Sequence, residues 1–216
     1  MGNGRRLPFY LAYVLVGVLA LACRVFIAFG AGLSHYSTDS DHYLKVAERI
    51  LSLSQWEVPL HPPGYSIFIA LADLLGPRDL VVLWGQVLMS TAVAMIASML
   101  IWRLTKRHLI AISGFLAIAL WPNQLNGVRL LLSEVLACFL LSASLGLLLL
   151  GRNRAIWWAA VSGILLGFAV LTEPRSHLAL FPFSVVACSA EKTDEVFSVP
   201  DLCSQDLSLP FHRLWP

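Results

Sequence analysis

Residues 63–76 read PGYSIFIALADLLG, and whether this run crosses a membrane decides the topology of everything around it. At about 1.5 Å per residue a helix of this length reaches only about 20 Å, short of a hydrocarbon core of about 30 Å. Longer or repeated apolar runs surround it, at 8–30, 80–102, 109–122, 130–150, 155–171 and 176–189. The 216-residue chain is 58% hydrophobic and 13% charged, with a mean hydropathy of +0.75. Soluble domains carry about a quarter charged residues. The composition therefore predicts an all-α, polytopic helical membrane protein of about six spans, because lipid leaves open backbone groups without partners.

Two basic joints decide the short run. RLTKRH at 103–108 and GRNR at 151–154 follow the rule that positive loops stay cytoplasmic. If 63–76 spanned, both joints would fall outside. It is therefore read as a helix lying in or dipping into the outer leaflet. The first apolar run is longer than the 7–15-residue core of a signal peptide and is read as a retained helix, with Arg5, Arg6 and the N-terminus cytoplasmic. Residues 31–79 are then an external loop. Within it 39–53 is an amphipathic surface helix, with Tyr43, Ala47, Ile50 and Leu51 on one face and Lys45, Glu48, Arg49 and Ser52 on the other. A transmembrane module covers 1–189. Residues 190–216 change composition and are expected to lack fixed structure. A net charge of +2 argues against a nucleic-acid partner. Cys23, Cys138, Cys188 and Cys203 have no metal-ligand spacing and read as packing residues. Trp84, Trp102, Trp121, Trp157 and Trp158 read as interface anchors.

This topology collects four polar features on the outer side: Asp39 with Asp41, LHPPGY at 60–65, NQLNGVRLLLSE at 123–134, and TEPR at 172–175. Asp39 and Asp41 suit a helix N-terminus, with Thr38 as a cap and Asp41 three residues on. The same position keeps a carboxylate ionised, as a general base requires. His61 is either an interfacial loop residue or a donor to a phosphate or metal. Pro63 is placed at the first helical position of the following run. Arg129 and Glu134 stand at the mouth of the fourth span, Glu134 a turn inside it. There an acid is costly and marks a functional candidate. Glu173 and Arg175 could pair across Pro174.

In order, D-S-D-H-Y-x-x-x-A, H-P-P-G-Y, V-R-L-L-L-S-E and G-x-x-x-G-x-A-x-L-T-x-P resemble the N-terminal half of the GT-C glycosyltransferases, the family that includes protein O-mannosyltransferases and the lipid A aminoarabinose transferase. The resemblance covers residues 5–185. It implies an inverting transfer of a sugar from a polyprenyl-phosphate donor to a glycan, lipid or protein acceptor at the outer face. By that resemblance Asp39 matches the catalytic aspartate and Tyr43 the tyrosine four residues after it. Relatives often have a second acid directly after that aspartate; here that position is Ser40 and Asp41 lies one further on, so which acid serves as the second stays open, and either aspartate could be the base. His61 matches the basic residue facing the donor phosphate, and Glu134 the acid of the second external loop. Relatives commonly have a basic residue where this chain has Glu173, and Arg175 is expected to take over. No cofactor is expected, although some branches of the family use a divalent metal. Family members run to about twice this length. The chain is therefore expected to be a truncated form without turnover of its own. A catalytically inactive relative and, less favoured, a transporter subunit are the alternatives. Against transport, the polar groups gather in loops on one side rather than at the midplane.

Overall fold

The computed structural model describes residues 7–30, 38–54, 62–150 and 155–173. The sixth apolar run at 176–189, the GRNR joint, Arg5 and Arg6, His61, Arg175 and the tail at 190–216 lie outside the described residues. Those described form eight helices and no strand: α1 (Leu7–Gly30), α2 (Thr38–Ser52), α3 (Gly64–Leu75), α4 (Arg78–Thr105), α5 (His108–Ala119), α6 (Pro122–Gly127), α7 (Ser133–Leu150) and α8 (Ala155–Thr172). Among the described residues two segments are long and apolar enough to cross a membrane, Leu11–Gly30 and Arg78–Thr105.

Successive long helices run antiparallel, and three contact levels show it. At one end Tyr13 of α1 lies edge-on to His108 of α5, which stacks on Trp102 of α4. Midway, Ala20, Ala94, Phe115 and Ala119 join α1, α4 and α5. Toward the other end Ala28, Leu83, Val87 and Val128 close the same seam. A second hairpin, α7 against α8, is held by a reciprocal pair. The Ser144 hydroxyl donates to the Ser162 carbonyl at 2.8 Å, and the Ser162 hydroxyl donates to the Ser144 carbonyl at 3.0 Å. Both serines are buried, which lets the two backbones approach closely.

The short helices form as their periodicity demands. In α2 the side chains of Ser40, Tyr43 and Ala47 are buried, while Lys45, Glu48, Arg49 and Ser52 are exposed. Leu51, expected on the buried face, stays 37% exposed because it lies at the edge of the stripe. The main core joins α2, α3, α4, α7 and α8 through Tyr43, Tyr65, Ile69, Val82, Leu136 and Ala169. Pro63 caps α3 rather than opening it, its carbonyl accepting from Ile67 N–H at 2.9 Å. Gly64 then meets the end of α8 directly. A Cβ there would lie 2.6 Å from both the Leu171 carbonyl oxygen and Thr172 Oγ1.

Three sequence expectations are corrected. The third apolar run is not one helix over 109–122. Instead α5 stops at Ala119 and α6 starts after Trp121, because Pro122 has no N–H to carry the α5 ladder on. Residues 130–132 are not helical, so the fourth apolar run becomes helix only at Ser133. Glu134 consequently lies in the first turn of α7, exposed, where the helix dipole favours an acid. It is not a turn inside.

Gly64→Ala is expected to destabilise the fold by about 1–3 kcal/mol, since backbone rather than a flexible side chain must give way. Thermal unfolding of the two forms in the same detergent checks it, and an unchanged midpoint would show that α3 and α8 do not meet closely.

Candidate functional site

The ends of α2, α7 and α8 meet at Ser133. Its side chain is buried at the start of α7, because residues 130–132 turn the chain inward before the helix begins. The Tyr43 hydroxyl donates to Ser133 Oγ at 3.3 Å, and Ser133 Oγ donates to Glu173 Oε2 at 2.9 Å. A phenol from α2, an alcohol from the start of α7 and a carboxylate from the residue after α8 thus form one chain. Burial raises the Tyr43 phenol above its ordinary pKa, and Glu173, Asp39 and Glu134 raise it further, while the Ser133 hydroxyl partly offsets them. Three carboxylates from separate elements therefore act on one phenol. Tyr65 packs edge-on to Tyr43 at 5.0 Å and is also pushed up, by burial first and then by Tyr43 and Glu134.

Helical geometry separates the two aspartates. Four residues advance about 40° beyond a full turn and two advance about 200°. Asp39 therefore shares the face of Tyr43, and Asp41 stands on the opposite side. Both are exposed in the first turn of α2. The field at Tyr43 includes Asp39. Arg129 is half-buried in the turn after α6, its N–H donating to the Asn126 carbonyl at 3.2 Å. The pairing of Glu173 with Arg175 involves a residue outside the described ones, as does any role of His61. Among the described residues no group of three His, Cys, Asp or Glu side chains could hold a metal ion.

Beneath this cluster lies a polar seam that the sequence reading did not single out. Gln86 of α4 donates through Nε2 to the Leu130 carbonyl at 2.9 Å and to the Tyr65 hydroxyl at 2.8 Å. Ser40 of α2 donates to the Leu131 carbonyl at 3.1 Å. One turn further along α4, Ser90 accepts from Arg24 Nε at 3.0 Å and donates to Gln124 Oε1 at 3.2 Å. Arg24 is 0% exposed, and its second amino group has no partner. It is the lone charge in the first apolar run, which is the signal that could have found it: the rule applied to Glu134 applies equally to Arg24.

Comparison with protein-family models, with curated proteins and with solved structures found no match to the chain.

Two titrations follow from the Tyr43 chain. Glu173→Gln removes one of the charges that raise the phenol, so Tyr43 should ionise at lower pH than in the parent. Ser133→Ala removes the offsetting hydroxyl, so Tyr43 should ionise at still higher pH. Ultraviolet difference titration against Tyr43→Phe reads both, and shifts of the same sign would contradict the arrangement. Arg24→Met should raise the thermal midpoint, because it replaces a buried charge lacking a charged partner with an apolar side chain of similar length. A fall of several degrees would show that the guanidinium is a net stabiliser.

Proposed function

We propose that the chain is a multi-pass membrane glycosyltransferase module that takes a sugar from a polyprenyl-phosphate donor at the outer face. The observation that carries the reading is the meeting of Tyr43, Ser133 and Glu173, with Asp39 and Glu134 acting on the same phenol. These groups come from distant parts of the chain, and they include three of the four polar features placed outside by charge bias alone. The resemblance of the ordered motifs to GT-C enzymes supplies the reaction class.

The membrane part of the reading rests on exposed apolar surface. Along α1 the side chains of Leu11, Val14, Leu15, Val18, Leu19 and Phe26 are each between 59% and 77% exposed. Only 17% of that apolar segment is buried. Water would not tolerate so continuous an apolar face, whereas lipid requires it. In this reading α1, α4, α7 and α8 cross the bilayer, and α5 and α6 cross as one broken helix. The α2 and α3 helices lie at the outer surface, and the N-terminus is cytoplasmic.

The chemistry follows from the site. Asp39 takes the proton of the acceptor hydroxyl. The acceptor oxygen forms a bond to the anomeric carbon from the face opposite the phosphate. The bond between that carbon and the phosphate oxygen breaks, and the electron pair leaves with the lipid phosphate. Asp39 is favoured over Asp41 because it alone shares the face of Tyr43. The chain from Tyr43 to Glu173 holds the base of α2 against α7 and α8, so that Asp39 keeps one position. Basic side chains then stabilise the departing phosphate, with Arg129, His61 and Arg175 as the candidates.

A photoreactive polyprenyl-phosphate sugar should label α2 or α7 and be displaced by unlabelled donor. Wherever transfer is measurable, Asp39→Asn should lower it about 10²–10⁴-fold while donor labelling is kept. Asp41→Asn should change it little. Absence of displaceable labelling removes the reading, and unchanged transfer by Asp39→Asn removes Asp39 as the base.

A further inference from the structure

We propose that the turn between α4 and α5 is a headgroup site for anionic phospholipid, in which Lys106 and Arg107 hold the phosphodiester and Arg103 adds to the field. The inference rests on the bilayer reading above and concerns the end of the bundle opposite the candidate active site.

The backbone gives the first reason. Lys106 closes α4 in the left-handed region, at φ 56° and ψ 16°, with its N–H donating to the Trp102 carbonyl at 2.8 Å. Glycine is the usual residue at such a helix end because it has no Cβ to clash. A lysine accepts strain there without any gain for the turn itself. The turn is already fixed by Thr105, whose hydroxyl donates to the Ile101 carbonyl at 2.8 Å and accepts from Arg107 N–H at 3.2 Å.

The side chains give the second reason. The Lys106 ammonium sits 5.4 Å from the centre of the Trp102 ring. On that indole the His108 ring stacks at 5.7 Å, and Tyr13 lies edge-on to His108 at 6.1 Å. Three aromatic rings thus form a shelf at the level where tryptophan and tyrosine meet lipid headgroups. Leu104 and Leu109 on either side of the turn are 80% and 73% exposed, placed to enter the acyl region while the cations stay at its edge.

Charge gives the third reason. Arg103, Lys106 and Arg107 fall within five residues, and the sequence from 80 to 133 contains no aspartate or glutamate to neutralise them. A zwitterionic headgroup brings its own cation to the site. A phospholipid with net negative charge does not, so it is the ligand that this turn discriminates for.

The full chain is reconstituted in phosphatidylcholine bilayers containing a minority of phosphatidylglycerol and then extracted in mild detergent. The lipid it retains is measured by mass spectrometry. Phosphatidylglycerol should be enriched over its share of the bilayer. Lys106→Gly and Arg107→Gln should each lower the enrichment about fivefold, and Lys106→Arg should keep it. Because glycine relieves the backbone, Lys106→Gly should be at least as heat-stable as the parent in neutral detergent, which separates lost binding from lost folding. Retained lipid that matches the bulk bilayer, or an enrichment unaffected by Lys106→Gly and Arg107→Gln, overturns the proposal while leaving the membrane reading intact. Release of the chain from pure phosphatidylcholine vesicles by alkaline carbonate overturns both.

Discussion

Two carbonyl oxygens, those of Leu130 and Leu131, govern how the upper end of the bundle is built. The chain leaves helical geometry between α6 and α7, so these oxygens lack i+4 helical partners, although the Leu130 carbonyl accepts from Leu132 N–H at 2.9 Å. A buried carbonyl left unpaired there costs several kcal/mol in the absence of water. Gln86 gives the first a second donor beside Leu132 N–H, and Ser40 donates to the second. Gln86 can do so only because its other N–H is taken by Tyr65, which fixes the direction of the amide. Satisfying one irregular turn therefore ties α2, α3 and α4 to the start of α7. The meeting of Tyr43, Ser133 and Glu173 is a consequence of that registration.

The parts of this arrangement that were legible in the sequence are those that repeat. The 3.6-residue stripe of α2 and the lengths of α1, α3 and α4 followed from apolar spacing. The polar joints were legible as breaks between the apolar runs. Asp39 and Glu134 stood out because charge beside an apolar run is conspicuous, and Tyr43 through the stripe of α2 and the motif resemblance. What escaped notice does not repeat. The break at residues 120–132 is written mainly by Pro122 inside a run that still looks apolar. Ser40, Gln86, Ser90 and Ser133 are single small or neutral polar residues, and nothing in their spacing says that each faces a buried partner. Glu173 was read for a neighbour two positions away, although its described partner, Ser133, is forty residues earlier.

Arg24 and Gln86 show how the two kinds of buried polar group differ. The amide of Gln86 uses both hydrogens and leaves only its oxygen unpaired, a modest cost for a neutral group. Arg24 keeps a full charge among neutral partners, the hydroxyl of Ser90 and the carbonyl of Ala20. Such a charge weakens the case for stability as the reason for its presence. Its place one turn of α4 from Gln86 puts it under the same irregular segment, joined to Gln124 through Ser90.

The close fit of Gly64 beneath the end of α8 has a consequence for the order in which the protein can assemble. Ribosomal synthesis delivers α2 and α3 early, yet Leu131, Ser133, Leu171 and Thr172 are all made later. Until α7 and α8 arrive, α2 and α3 have only each other and α4 to rest on, and Tyr43, Tyr65 and Ile69 lack much of their cover. The joint between Gly64 of α3 and the end of α8 therefore closes only after every helix between them has been made. Contacts within the site must therefore offset the entropy of closing all the chain between α3 and the end of α8.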